Sequence, residues 1–527
     1  MKERLLTSLI TAFVVTTLQA QVASPVPKLV VGLTIDQLRT DYIEAFSGLY
    51  GEKGFKRLIK EGRVYCNAEY DFVNIDRSSA VAAIYTGSTP YYNGIVGNQW
   101  MDRNSLRLIK SVDDSAYMGV YTSESSSPKH LVVSSLSDEL MVATKGIAEV
   151  YSIAPTREVA ILSAGHASKA ALWLNDINGK WCGSTYYGEF PSWASVYNDK
   201  EGLNYRIDNL TWEPCLPTTS YKFITSDVKQ LTFKHNFADE RFDKYKCFKT
   251  SPYVNDEVNR LVEACLSGSQ VGKDEIPDLL ALSYYAGNYN HRPNSEYAME
   301  IQDMYVRLDR SIADLLEIID RKVGLHNTLL FITTTGYSDS DPKDPSEYKI
   351  PGGEFHIKRC GALLNMYLMA IYGPGEYVET YYGNEIYLNH KLIEKKKLDL
   401  TEILNRASNF IVQMSGVKDA YSSQRLILGS WAPQIGRVKN SYHPNCSGDI
   451  YVEVMPGWSI VDEYSHSSKV MRNVYTSAPL VFFGANTKPD IIYTPVKIGT
   501  IAPTVAHYMR IRAPNAASTA PLIDIRK

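Results

Sequence analysis

The sequence predicts an α/β fold, a mostly parallel sheet flanked by helices with inserted cap segments. Three observations predict it. The run LVVGLTID (Leu29–Asp36) is apolar, rich in β-branched residues and ends in an acid. Apolar runs recur at Val159–Leu162, Leu279–Leu282, Leu329–Thr333 and Leu480–Phe483. Helical patterns such as Met304–Lys322 and Val496–Met509 lie near them. Strands buried on both faces and alternating with helices are what a parallel sheet needs, because the crossover helices cover both sides.

The elements follow in chain order. Residues 1–20 read as a signal peptide: Lys2 and Arg4 precede an apolar run from Leu5 to about Leu18, with a cut after Ala20. That run is too short for a stable bilayer-spanning helix, and no other stretch approaches the ~20 apolar residues needed. Cleavage would expose Gln21, not Cys, which argues against a lipid anchor. The expected mature chain is therefore exported, to the periplasm or the cell surface, with no transmembrane segment. Leu29–Asp36 and an amphipathic helix from Tyr42 to Glu61, closed by Gly62, form one βα unit. Residues 21–527 are expected to form a single domain carrying insertions at about 181–250, rich in Tyr, Trp, Pro and Thr, and at about 352–458.

Composition narrows the function classes. The chain has 527 residues, 44% hydrophobic and 21% charged, which suits a large globular core and excludes disordered or fibrous classes. Fifty-five Lys and Arg against 58 Asp and Glu give a net charge of -3, so bulk charge points to no nucleic-acid partner. Seven scattered cysteines lack any CxxC pair, which excludes zinc-ribbon and thioredoxin readings and leaves disulfide pairing open. There are 37 tyrosines against 15 phenylalanines.

Several segments carry a resemblance: LTIDQLRTDY (33–42), AAIYTGSTPYYNGIVGNQW (82–100), VAILSAGHASKAALW (159–173), STYYGEFPSW (184–193), RPNSEYAMEIQDMYVRLDRSIADLL (292–316), LLFITT (329–334), SGDIYVEVMPGW (447–458) and APTVAHYMRIRAPNAAS (502–518). Together they resemble the alkaline phosphatase superfamily, specifically periplasmic monoesterases with a threonine nucleophile, related to nucleotide pyrophosphatase/phosphodiesterases. The resemblance implies an alkaline-phosphatase-like core and two zinc ions about 4 Å apart, held by six Asp and His ligands, that clamp a phosphoryl group.

Carried over residue by residue, most of that centre is missing. The first ligand falls on Asp36. The nucleophile position, ten residues before Gly87, is Arg77, which cannot act as a nucleophile. Ser78 and Ser79 are turned away from it by the helical rotation of about 100° per residue. The next ligand pair falls on Tyr285 and Tyr289, with Asn288 and His291 nearby in the loop. The Asp-His pair after the central strand becomes Thr335 and Gly336, and the last His becomes Ser477. The phosphate-binding Asn is kept as Asn98, whereas the phosphate-gripping Lys and Arg become Thr156 and Glu158. Arg157 lies between them, and strand-like alternation would point it elsewhere. Asp36 thus stands as a vestigial ligand and no zinc is expected. Arg77 is expected to pair with Asp36 or Glu158 in place of the metals' charge.

The functional expectation is an exported protein that has lost metal-dependent phosphoryl transfer and serves as a binding or scaffold subunit with protein partners in the cell envelope. The alternative is a phosphate monoester or diester hydrolase with a rearranged site, drawing substitutes from Asp339, Asp341, His356, His466 or Ser467. A third reading places glycan or protein contacts on exposed aromatics such as Trp181, Trp193 and Trp212. His130, His235, His326, His390, His443 and His507 show no ligand spacing and read as surface or packed histidines.

Overall fold

The computed structural model describes residues 25–526 apart from 222–231, 241–242, 293–297, 340–351, 430–431, 463–466 and 471–476. The leader, the anchor at Pro293, Asp341 and His466 lie outside the described residues. The fold is α/β, built on an 11-stranded sheet.

In chain order the sheet strands are β1 (Leu29–Asp36), β2 (Arg63–Glu69), β3 (Gly119–Val120), β4 (Val150–Ala154), β5 (Ala170–Leu174), β6 (Trp181–Ser184), β7 (Asp278–Tyr285), β8 (Thr328–Thr334), β9 (Ala478–Gly484), β10 (Asp490–Ile492) and β11 (Val496–Lys497). Their spatial order is β10-β2-β9-β8-β1-β7-β4-β5-β6-β3, with β11 also on β2. The five central strands from β8 to β5 are parallel, and antiparallel pairs flank them at β9 and β6.

Alternation along β1 sends its side chains to two cores. Leu29, Val31, Leu33 and Ile35 face one core, which holds the helices α5 (Tyr253–Gly268) and α6 (Ala298–Lys322). Val30 faces the other, with α3 (Arg77–Thr86), α4 (Arg157–Ala164) and α9 (Ile501–Met509). By the same parity Asp36 belongs to the side of α3 and α4.

Three sequence expectations are corrected. Val159–Leu162 is not a strand but the middle of α4; the strand is β4, just upstream, and a short apolar run buried against a sheet reads the same in either form. The helix expected over Tyr42–Glu61 is broken into α1 (Thr40–Ala45), a 3-10 turn at Ser47–Leu49 and α2 (Phe55–Glu61). The Asp309 carboxylate explains the break: it accepts from Gly51 N at 2.9 Å and from Phe55 N at 2.7 Å, and so starts a new helix there. The C-terminal helix begins only at Ile501, because Val496 and Lys497 are taken up by pairing with β2.

The aromatics of the 181–250 segment are also corrected. Trp181, Trp193 and Trp212 are buried, so they offer no face to a glycan or a protein. Trp181 Nε1 donates to Glu257 Oε1 at 3.1 Å and Trp212 Nε1 to Asp303 Oδ2 at 2.6 Å, so these two buried indoles have partners.

Residues 353–462 hold the helices α7 (Ile357–Tyr372) and α8 (Leu400–Ile411) and a four-stranded sheet, around a core of their own that includes Ile386, Ile403 and Val452. Arg103 ties this part to the main body through Asp449 at 3.0 Å. All seven cysteines are free thiols. Among the described residues no helix is long and apolar enough to cross a membrane.

Candidate active site

The placement of the site follows from one close approach. A Cβ at Gly32 would come within 2.3 Å of the Phe331 ring and 2.7 Å of the Tyr85 hydroxyl, so only glycine lets α3 settle this near β1. Tyr85 Oη donates to Gly32 O at 3.3 Å. From that crossing point β1 runs four more residues to Asp36, about 13 Å at the rise of a strand. α3 runs eight residues back to Arg77, about 12 Å at the rise of a helix. The two arms match, and Asp36 and Arg77 meet at the carboxyl edge of the sheet, where ligands collect in such folds.

Both expected ion pairs are present. Arg77 Nε donates to Asp36 Oδ2 at 2.8 Å and Nη1 to Glu158 Oε1 at 2.9 Å. Arg77 opens α3, and Glu158 is the second residue of the neighbouring helix α4. A cation in a first helical turn is opposed by the helix dipole by roughly 0.3–1 kcal/mol, and the two carboxylates offset this. Burial works against the Arg77 charge, yet Asp36 and Glu158 outweigh it and hold the guanidinium above its ordinary pKa. Burial likewise favours a neutral Glu158, and Arg77 overcomes it to keep the carboxyl below its usual range.

The flanking serines are committed elsewhere. Ser78 Oγ lies 2.9 Å from Ser111 Oγ, and Ser79 Oγ accepts from Asp76 N at 3.0 Å in a reciprocal cap of α3. Asn98 Oδ1 accepts from Ser78 N at 3.0 Å, which orients its amide at the cavity wall.

The other mapped positions serve packing or hydrogen bonding. Tyr285 Oη donates to Asn288 O at 2.7 Å. Tyr289 is buried against Trp212 and His235, with ring centroids 5.3 and 4.4 Å away. Thr335 Oγ1 donates to Asp36 Oδ1 at 2.9 Å and accepts from Gln37 N at 3.0 Å. At Gly336 the backbone is left-handed (φ 72°), and a Cβ would meet Tyr70 Cε2 at 2.3 Å. Ser477 Oγ sits 3.0 Å from Cys66 O and 2.9 Å from Asn67 Oδ1. Arg157 is directed away from the centre, to Asp113 at 2.7 Å, by helical rotation at the start of α4; the strand-like alternation expected there is corrected.

A cavity of about 710 Å³ opens above this edge and is lined by Asp36, Arg77, Asn98, Thr156, Glu158 and His291 among others. The sequence places His291 in the loop beside Tyr289 and offers Asp339 only as a substitute for a rearranged site, with nothing to join the two. The structure brings them together: His291 Nδ1 lies 3.0 Å from Asp339 Oδ2. The hydrogen bond to Asp339 raises the His291 pKa above its ordinary value, with burial opposing and Asp339 charge reinforcing it. The available signal was positional, since both residues follow the ends of strands that neighbour β1.

These residues do not fit a zinc pair. Asp36 is the lone surviving carboxylate among the mapped ligand positions, both its oxygens are engaged by Thr335 and Arg77, and a guanidinium repels a cation. Among the described residues no three His, Cys, Asp or Glu side chains are arranged to hold a metal ion.

A doubly covered α/β sheet with a cavity at the carboxyl edge of its central strands, beside two helix N-termini, defines a class of folds that bind ligands at this edge, where the helix ends favour anionic groups. The chain belongs to the type I phosphodiesterase / nucleotide pyrophosphatase family, whose sequence model matches residues 30–478. It is 29% identical over 524 residues to alkaline phosphatase PafA of Elizabethkingia meningoseptica, covering 95% of each chain. It is also 29% identical over 519 residues to alkaline phosphatase PhoV of Synechococcus elongatus, covering 95% of this chain and 93% of that one. The crystal structure of wild-type PafA superposes with a TM-score of 0.83 at 28% identity, over 96% of this chain and all of that one.

These likenesses overturn the expectation of a binding or scaffold subunit. Relatives named as phosphatases match about 95% of the chain, and they favour the phosphoric ester hydrolase that stood as the alternative. The earlier expectation took the loss of the metal set as loss of the reaction. The cavity is nevertheless open, and charged groups line it.

Proposed function

We infer that the chain hydrolyses phosphoric esters in the cavity above Asp36 and Arg77, through a centre in which protein side chains stand where the family's metal ions would. The observation that carries this reading is the position of Arg77, a guanidinium at the N-terminus of α3 on the cavity wall. A guanidinium matches the spacing of phosphate oxygens and keeps its charge at any physiological pH. Asp36 and Glu158 hold it in place until an anionic ester competes for its N–H groups. Asn98, on the same wall, supplies an amide donor. The basic start and apolar run of residues 1–20 support export, so the substrate would be met outside the cytoplasm.

The test is steady-state turnover of 4-nitrophenyl phosphate and bis(4-nitrophenyl) phosphate by the full chain and by Arg77→Gln. Saturable turnover that falls by about 100-fold or more in the variant is expected if Arg77 meets transition-state charge. Absence of turnover on both esters contradicts the reading.

A further inference from the structure

His291 and Asp339 come from two loops that leave the sheet on either side of β1, the first after β7 and the second after β8. Each loop is pinned. Asn290 N donates to Thr250 Oγ1 at 3.1 Å, and Asn290 and His291 both hold left-handed backbone (φ 50° and 56°), which non-glycine residues adopt at a cost. Asp339 N donates to Gln37 Oε1 at 2.9 Å, and Gln37 is itself left-handed (φ 61°) directly after Asp36. Three strained loop residues thus converge on the strand ends that bear the cavity.

Their result is an oriented imidazole. Both oxygens of Asp339 lie near His291 Nδ1, at 3.0 and 3.2 Å. Asp339 stands behind the ring and outside the cavity lining, whereas His291 is part of that lining together with Asp36 and Arg77. A carboxylate on Nδ1 fixes the tautomer that leaves Nε2 able to accept a proton. Asp339 and Tyr285 stand against the ring, the latter edge-on at 6.4 Å between ring centroids, and the charges of Arg77 and Asp36 act on it from the same cavity.

We propose that His291 is a catalytic base for ester hydrolysis in this cavity and that Asp339 is its positioning residue. This rests on the hydrolytic reading above. In the step, a water oxygen forms a bond to phosphorus while the bond from phosphorus to the ester oxygen breaks. The water's proton passes to His291 Nε2, and the departing oxygen is protonated from the imidazolium or from solvent. The products are the free alcohol and phosphate, with no change of oxidation state and no other reactant.

The experiment is turnover of 4-nitrophenyl phosphate by the full chain, His291→Gln, Asp339→Asn and Asp339→Glu. His291 is half exposed, so its replacement is expected to leave the melting temperature unchanged. The expected result for His291→Gln is a fall in kcat of about 100-fold or more with KM within a few-fold, partly restored by added imidazole. Asp339→Asn should lower kcat with KM unchanged, and Asp339→Glu should retain more of it. Wild-type turnover that survives His291→Gln intact overturns this assignment alone. An acid-stable phosphorylated tyrosine or serine, or a phosphoimidazole trapped on quenching, overturns the role of base. No wild-type turnover overturns the hydrolytic reading and this assignment with it.

Discussion

Arg77 Nε donates to Asp36 Oδ2 across 2.8 Å, joining the first residue of α3 to the last residue of β1. The bond closes the sheet edge beneath the cavity, and Glu158 adds a second carboxylate from α4.

Removing the guanidinium leaves two mostly buried carboxylates without their cationic partner. Arg77→Met should destabilise the protein by about 3–5 kcal/mol, the usual consequence of breaking a buried pair on one side. In a cycle with Asp36→Asn, chemical denaturation should give a coupling of about 0.5–3 kcal/mol. Additive effects would show that the bond contributes nothing beyond its separate halves.

Gly336 cannot be returned to a ligand by simple substitution. With φ at 72° and the Tyr70 ring 2.3 Å from a built Cβ, Gly336→Ala should lower stability by about 1–3 kcal/mol. Combining it with Tyr70→Ala should relieve the clash, so the double variant should be less destabilised than the sum of the two. A sum or worse in thermal melts would place the strain elsewhere.

Stability should depend on pH through His390 and Asp449. The Asp449 hydrogen bond raises the His390 pKa, with burial opposing. That contribution is present below the ordinary histidine value of about 6.5 and is lost as pH rises through the raised folded value. For Asp449, burial favours the neutral acid, but His390 and Arg103 outweigh it and lower the pKa. Its contribution is therefore present above the ordinary carboxyl value of about 3.9 and is lost as pH falls through the folded one. The stability difference between wild type and His390→Gln should be largest near pH 5 and shrink by pH 8. A constant difference would contradict the pairing.

Trp212 is a structural residue of the 181–250 segment. Its ring is enclosed by Phe233, His235 and Tyr289, and its indole nitrogen is held by Asp303. Trp212→Ala should cost about 3–5 kcal/mol in denaturant unfolding. A fully stable variant with altered glycan binding would restore the surface role that its burial denies.

Much of the fold was legible because β1 states it directly: eight residues, apolar on both faces and ending in an acid, read as a central parallel strand. The ion-paired centre was legible too, once Arg77 fell where a nucleophile should sit. Less legible was anything set by distant partners. Asp309, more than 250 residues away, breaks the helix expected after Tyr42, and no local pattern announces it. Val159–Leu162 looked like a strand because a helix pressed on a sheet and a strand within one share the same apolar signature. His291 and Asp339 lie 48 residues apart and meet only because their strands flank β1. Least legible was the reaction, because the residue types at a few mapped positions say nothing of what else the loops bring to the cavity.

The most direct test of a hydrolase centre built from side chains is turnover of 4-nitrophenyl phosphate by the full chain after exhaustive dialysis against chelator, with and without zinc restored. The expected result is the same rate in both samples and no stoichiometric zinc by elemental analysis. Turnover that vanishes on chelation and returns with zinc, or no turnover in either sample, would contradict it.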